Sequence, residues 1–105
     1  MPGVDLNYFM RQAKVLTEKI EQRKAKLAEE MVEAETGEGR VKVTASCEPT
    51  IKSIKIDPAA VDTADMSMLE DLLTAAVNAA LDKGREHSAR ELAKISKGIN
   101  IPGIT

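Results

Sequence analysis

Few residues of this 105-residue chain could carry out catalysis. His87 is the only histidine and Cys47 the only cysteine, so neither a histidine-based acid/base pair nor a cysteine-rich zinc site can form within one subunit. Glu70 and Asp71 are adjacent, but neighbouring residues on a helix point about 100° apart and do not form a carboxylate dyad. We expect Cys47 to be a core or edge residue of a strand and His87 to be an exposed helix residue. Because no set of nucleophile, base and metal ligands is present, the sequence predicts a protein that is not an enzyme, with no cofactor, metal or small-molecule substrate.

The remaining candidates for function are the lysines and arginines, whose positive charge could bind phosphate groups. The formal net charge of -2 argues mildly against nucleic acid as a ligand. The charge is unevenly distributed, however: bases outnumber acids in residues 1–26 and 83–97, whereas residues 29–38 and 57–71 contain acids and no base. If the two basic regions lie on antiparallel helices, they meet at one pole. A phosphate backbone could bind there, because each contact acts over a Debye length of roughly 8 to 10 Å.

Two other interpretations of these charges stay open. Lys and Arg interleaved with Glu at spacings of three and four commonly form the solvated face of a helix. The chain could also be a protein-interaction module whose helical arms hold a partner protein, with the charges conferring solubility. Tyr8 and Phe9 are the only aromatic residues, which disfavours single-strand binding by base stacking and leaves duplex DNA as the preferred nucleic acid.

Two long helices are predicted to position the basic residues. Apolar residues at spacings of three and four, with one break at Arg23, predict a first helix over about residues 5–30. A second helix is capped by Asp65 or Ser67 and is stopped by Gly98.

Between the helices the apolar period changes to two. Residues 32–36 and 41–45 alternate on either side of Gly37-Glu38-Gly39 and predict a β-hairpin. A third strand ends at Asp57-Pro58, and Ile51 is off parity, which indicates a β-bulge. The predicted fold class is α+β, in two layers: helix, three-stranded antiparallel sheet, helix, with both helices on one side of the sheet.

The predicted lengths of the elements favour a homodimer. A helix of some 30 residues spans roughly 45 Å and a strand of six residues about 20 Å, so the helices project beyond the sheet. Their apolar stripes would face water unless a second subunit covers them. We expect a single domain over residues 1–98, followed by a small apolar tail, residues 99–105, that lies on a surface or stays mobile.

The chain is not expected to associate with a membrane. No apolar run approaches the roughly 20 residues that cross a bilayer, and the first residues lack the basic and apolar regions of a signal peptide. The sequence therefore predicts a soluble cytoplasmic protein.

Several blocks of sequence are similar to those of one bacterial family. They are VKVT at residues 41–44, IKSIKIDP at 51–58, MLEDLLTAAVNAAL at 68–81 and the closing GINIPG at 98–103. In this order they resemble the YbaB/EbfC family of nucleoid-associated proteins. The resemblance implies a tweezer-shaped homodimer with protruding helices and no catalysis. It also implies DNA binding that organises the nucleoid or modulates gene expression. If this binding is made through phosphates, we expect low sequence specificity for the duplex.

The resemblance also implies where DNA is contacted. Carried onto this chain, the family's contacts near the helix ends fall on Arg11, Lys14, Arg90, Lys94 and Lys97, with Lys83 and Arg85 as further candidates. Their expected role is to contact phosphates, which positions a protein on DNA without reading its sequence. The loop at Gly37-Glu38-Gly39 is shorter than the family's usual glycine-rich connection, and we expect it to tighten the hairpin.

Overall fold

The computed structural model describes residues 5–98 and has the predicted order of helix, three strands and helix. Its elements are α1 (Leu6–Leu27), β1 (Met31–Thr36), β2 (Val41–Ser46), β3 (Ile51–Ile56), a short 3-10 turn (Pro58–Ala60) and α2 (Met66–Gly98). The predicted apolar tail, residues 99–105, lies outside the described residues.

Local interactions fix both ends of α1. The Asp5 carboxylate caps its start by accepting hydrogen bonds from the backbone N–H groups of Asn7 at 3.0 Å and Tyr8 at 3.3 Å. The helix ends at Leu27, three residues before the predicted end. The N–H of Cys47, just after β2, donates to the carbonyl oxygens of Leu27 at 3.2 Å and Glu30 at 3.0 Å. These bonds tie the end of α1 to the sheet and turn the chain into β1.

The sheet is antiparallel with β2 in its centre. The β-bulge indicated by the parity of Ile51 is confirmed, because Thr44 pairs with Ser53 whereas Ala45 pairs with Ile51. Lys52 is therefore the extra residue of β3. The bulge brings Ile51 onto the same sheet face as its partner Ala45.

One face of the sheet packs against α2. Leu69, Ala76 and Ala80 of α2 are buried against Val41 and Val43 of β2. The small side chains let the helix approach closely. At Gly84 the approach is closest: a Cβ atom there would lie 2.8 Å from the carbonyl oxygen of Ser46. Gly84 thus marks where α2 crosses the end of β2 and leaves the sheet.

The prediction that both helices pack on the sheet is wrong for α1. This helix runs antiparallel to the far half of α2, since Arg23 contacts Glu91 whereas Glu30, just after the helix, contacts His87, and it extends away from the sheet. The physical reason is that α2 alone covers β1 and β2, while the anchored end of α1 lies at the rim of the sheet. We call residues 6–27 and 84–98 the arm, and residues 28–83 the body.

The chain is far from compact as a single subunit. Its radius of gyration is 20.6 Å and its longest dimension 76 Å, whereas a compact domain of about 100 residues has a radius of gyration of about 13 Å. Within the described residues neither helix has a stretch long and apolar enough to cross a membrane.

Candidate nucleic-acid interface

The fold separates positive from negative charge. The arm contains ten lysines and arginines and four glutamates, whereas the body contains twelve acidic and five basic residues. The antiparallel pairing of α1 with α2 places the two basic regions of the sequence side by side. The arm is therefore the positive part of a molecule whose net charge is slightly negative.

Four of the seven predicted DNA contacts form a line on α2. Lys83, Arg90, Lys94 and Lys97 are all exposed, and at about 100° per residue they lie within a sector of roughly 60°. The line extends over about 21 Å of helix. We call these four residues the basic stripe.

Two members of the basic stripe have partners within the chain. The Nζ of Lys83 donates to the backbone carbonyl of Glu33 at 2.8 Å, which covers the outer edge of β1. The Nζ of Lys94 binds the carboxylate of Glu91, although the Lys94 side chain is 73% exposed. Among the described residues, Arg90 and Lys97 take part in no ion pair.

The structure does not bring Arg85 to the basic stripe. Arg85 lies about 140° around the helix from Arg90, and its Nη1 pairs with Asp82 at 3.1 Å. Nearly three-fifths of the Arg85 side chain is exposed, so this pair is weakly held in water.

Arg11 and Lys14 are set apart from the basic stripe. They are exposed on the part of α1 that extends past the described end of α2. Arg11 lies on the side of α1 opposite Ile20, which is one of the residues turned toward α2. Within residues 5–98 neither Arg11 nor Lys14 forms an ion pair, so their charges are exposed to solvent.

Sequence reasoning missed two further cations beside the junction of the helices. Lys19 and Lys26 of α1 line a shallow groove of about 200 Å³ together with Gln22, Arg23 and Ile95. The signal available in the sequence was their spacing of seven, which places both lysines on one side of α1.

Arg23, the apparent break in the apolar stripe of α1, is a polar member of the contact with α2. Its guanidinium donates to Glu91 Oε1 at 2.6 Å and to both carboxylate oxygens of Glu30. The Arg23 side chain is only 22% exposed and that of Glu91 18%. Arg23 is thus already occupied and holds the two helices together.

These contacts shift the pKa values of the carboxylates in the cluster. Hydrogen bonds from Lys94 and then from Arg23 lower the pKa of Glu91 from 4.5 to about 2. Hydrogen bonds from Arg23 and then from His87 lower the pKa of Glu30, and the same cluster raises the pKa of Arg23. The His87 side chain is 32% exposed and its Nε2 lies 3.1 Å from Glu30 Oε1, so His87 is half-buried and the prediction of an exposed histidine is wrong.

On the other side of the junction lies a mainly apolar hollow of about 480 Å³, which Lys24 and Glu48 also line. Leu27, Ala28, Cys47, Pro49 and Ser88 are among its lining residues. Cys47 is buried as predicted, and burial raises the pKa of its thiol. That shift disfavours the thiolate, the form that reacts as a nucleophile. Among residues 5–98 no group of three His, Cys, Asp or Glu side chains is placed to hold a metal ion.

The sequence of this chain is similar to those of a known protein family and of several bacterial proteins. The sequence profile of the YbaB/EbfC DNA-binding family matches residues 1–99. A nucleoid-associated protein of Myxococcus xanthus is 68% identical over the full length of both chains. Another, from an Anaeromyxobacter species, is 48% identical over 96% of this chain and 98% of its own.

A solved structure shows the same fold. An uncharacterized protein from Helicobacter pylori superposes with a TM-score of 0.74 over 87% of this chain and 95% of its own, at 18% sequence identity. At that identity the likeness concerns the fold alone.

Proposed function

This chain belongs to the YbaB/EbfC DNA-binding family of nucleoid-associated proteins, and on that premise we propose that it binds duplex DNA through its arm. The proposed contacts are the basic stripe of α2, which begins at Lys83 where the body meets the arm, together with Arg11 and Lys14 on the projecting end of α1. The family is one of DNA-binding proteins and not of enzymes. The protein would act in the cytoplasm, on the nucleoid.

The observation that carries the proposal is the alignment of exposed cations along the basic stripe. Duplex DNA presents one phosphate charge per roughly 1.7 Å of its axis, so a straight row of cations about 21 Å long can meet several phosphates at once. Arg90 and Lys97 can bind phosphate without breaking an ion pair of the described chain, and Lys94 can exchange the Glu91 carboxylate for one.

Contacts of this kind carry no sequence information. Lysine and arginine bound to phosphates set the position and orientation of a protein on the duplex, whereas sequence is read at base edges. We therefore propose low sequence specificity, as suits a protein that organises the nucleoid or modulates gene expression over many sites.

We further propose that the protein is a homodimer formed through β3. Ile54 and Ile56 lie on the same sheet face as their partners Val43 and Val41, yet α2 leaves them 45% and 38% exposed. Met66, at the start of α2, is 41% exposed. A second copy packed here would remove these side chains from water, and the two arms could then bind one duplex together.

Charge reversal within the arm tests the proposed site. We expect Arg90→Glu combined with Lys97→Glu to weaken binding to a random 30-base-pair duplex by at least tenfold, measured by fluorescence anisotropy. The matched control is Arg40→Glu combined with Lys55→Glu, which makes the same change in net charge in the body. We expect the control to change the affinity by less than threefold.

Two outcomes would count against these assignments. Equal losses in the two variants would mean that net charge matters and the basic stripe does not. If the unaltered protein binds no duplex, and one stoichiometric protein is recovered with it after nuclease treatment, the arm holds a partner protein instead.

A further inference from the structure

Glu91 lies where the two helices of the arm meet, and two cations share its carboxylate. Its Oε1 accepts a hydrogen bond from Arg23 of α1 at 2.6 Å, and its Oε2 accepts one from Lys94, about one turn further along α2. The Glu91 side chain is 18% exposed, whereas that of Lys94 is 73% exposed. The carboxylate is therefore held within the junction of the helices, and Lys94 reaches it from the basic stripe.

The other charges of the junction leave Glu91 dependent on Lys94. Both Glu30 and Glu91 bind the guanidinium of Arg23, so one permanent cation serves two carboxylates. His87 also contacts Glu30, but its ring is charged only when protonated. Lys94 is the second permanent cation. If Lys94 moves away, a mostly buried carboxylate loses one of its two partners, which is unfavourable.

Lys94 differs in this respect from the rest of the basic stripe. The partner of Lys83 is a neutral backbone carbonyl, and neither Arg90 nor Lys97 forms an ion pair in the part of the chain that the structure describes. A phosphate can approach these three residues without displacing a carboxylate. At Lys94 a phosphate must take the place of Glu91.

We propose that Glu91 competes with DNA phosphate for Lys94 and thereby lowers the affinity of the arm for duplex DNA. Such competition rests on the proposed function, the binding of duplex DNA by the arm. Carboxylate and phosphate both accept charge-assisted hydrogen bonds from lysine, so one anion replaces the other and Lys94 keeps its charge. An ion pair with an exposed partner is weak, so the competition changes the affinity by a few fold and does not prevent binding.

Removal of the Glu91 charge tests the competition. We expect Glu91→Gln to raise the affinity for a random 30-base-pair duplex at least threefold, measured by fluorescence anisotropy, because Lys94 is then free to bind phosphate. The amide oxygen of glutamine can still accept a hydrogen bond from Arg23, so the two helices stay paired. The matched control is Glu86→Gln, which makes the same change in net charge at an exposed position of α2 and should raise the affinity by less than twofold.

A double-mutant cycle shows whether the effect acts through Lys94. In the natural protein, the phosphate contact of Lys94 is offset by the loss of its pair with Glu91, whereas in Glu91→Gln nothing offsets it. We therefore expect Lys94→Gln to weaken binding at least threefold more in the Glu91→Gln background than in the natural one. Equal losses in the two backgrounds would mean that the two residues act independently, and would overturn the proposal.

Two lysine variants provide a measurement that leaves Glu91 unchanged. Lys94 and Lys97 are both exposed members of the basic stripe, but of the two only Lys94 is bound to a carboxylate in the described structure. We expect Lys97→Gln to weaken duplex binding at least twice as much as Lys94→Gln. An equal or larger loss in Lys94→Gln would also overturn the proposal.

The same titrations separate the competition from the proposed function. If the natural protein binds duplex DNA and Glu91→Gln gains no more affinity than Glu86→Gln, net charge sets the affinity and the proposed competition is wrong. A loss of affinity in Glu91→Gln would mean that Glu91 supports binding and does not compete. If neither the natural protein nor Glu91→Gln binds duplex DNA, the proposed function is wrong as well.

Discussion

The basic residues of the arm differ in the ion pairs that they form within the chain. Arg23 lies between two carboxylates and is mostly buried, so phosphate binding there would leave charged groups without partners. Arg90 and Lys97 are exposed and make no ion pair within residues 5–98. Since a side chain's availability depends on its neighbours more than on its charge, the count of basic residues overstates the number of phosphate contacts.

The cluster around Glu91 makes the stability of the arm dependent on pH. The pKa of Glu91 is about 2 in the folded chain, below the ordinary 4.5. Glu91 therefore stabilises the fold above about pH 4.5, and this contribution is lost as the pH falls toward 2. We expect the melting temperature, followed by circular dichroism, to fall over this range, and to fall less in Glu91→Gln.

The exposed Glu86 on the same helix provides the control for this experiment. Glu86→Gln should retain the pH dependence of the natural protein. If Glu91→Gln follows the same curve as the natural protein, the ion pairs of Glu91 do not stabilise the arm. Because Lys94 is largely exposed, we expect the difference to shrink in high salt.

At the scale of elements, periodicity was sufficient to predict the sheet. In a strand every second residue lies on the same face, so alternating apolar residues identify both the strand and its buried side. An apolar residue out of this alternation, such as Ile51, identifies a bulge. The position of α1 could not be predicted in this way. An apolar stripe shows that a helix is covered on one side and does not show which element covers it. Arg23 can interrupt the stripe because its charge is balanced by Glu30 and by Glu91, which is 68 residues away in sequence.

The crossing of α2 over β2 should depend on a glycine. We expect Gly84→Ala to lower the free energy of unfolding by about 1 to 3 kcal/mol, because its Cβ would lie 2.8 Å from the backbone oxygen of Ser46. Alanine favours helix over glycine by about 1 kcal/mol, so a loss of stability would show that the close approach dominates.

Urea unfolding measures this change. Ser96→Ala, on an exposed turn of α2, is the control and should alter the unfolding free energy by less than about 0.5 kcal/mol. A gain of stability in Gly84→Ala would indicate that the helix can shift away from β2 without cost.

At the scale of the whole molecule, the protein combines an acidic body with a basic arm. The extended shape of the subunit keeps most acidic residues more than a Debye length from the tip of the arm, roughly 8 Å at physiological salt. This separation explains how a chain with a net charge of -2 can bind a polyanion. In the homodimer that we propose, the exposed apolar side chains of β3 would bring the two arms together.

Substitutions on the two faces of β3 test the proposed dimer interface. We expect Ile54→Glu to raise the dissociation constant of the dimer by at least tenfold, measured by sedimentation equilibrium, because it places a charge in an apolar contact. Lys55→Glu, on the opposite face of the same strand, should leave the dimer intact. A dimer that is unaffected by Ile54→Glu would place the interface elsewhere.

The salt dependence of DNA affinity tests the central claim most directly. Anisotropy titrations of two unrelated 30-base-pair duplexes between 50 and 200 mM KCl would give the slope of log affinity against log salt. If the four cations of one basic stripe together with Arg11 and Lys14 contact phosphates, we expect a slope of about -5.4, and of about -11 if both arms of a dimer bind. The two duplexes should differ by less than threefold. An affinity that is independent of salt, or the absence of binding at 50 mM, would contradict phosphate binding by the arm.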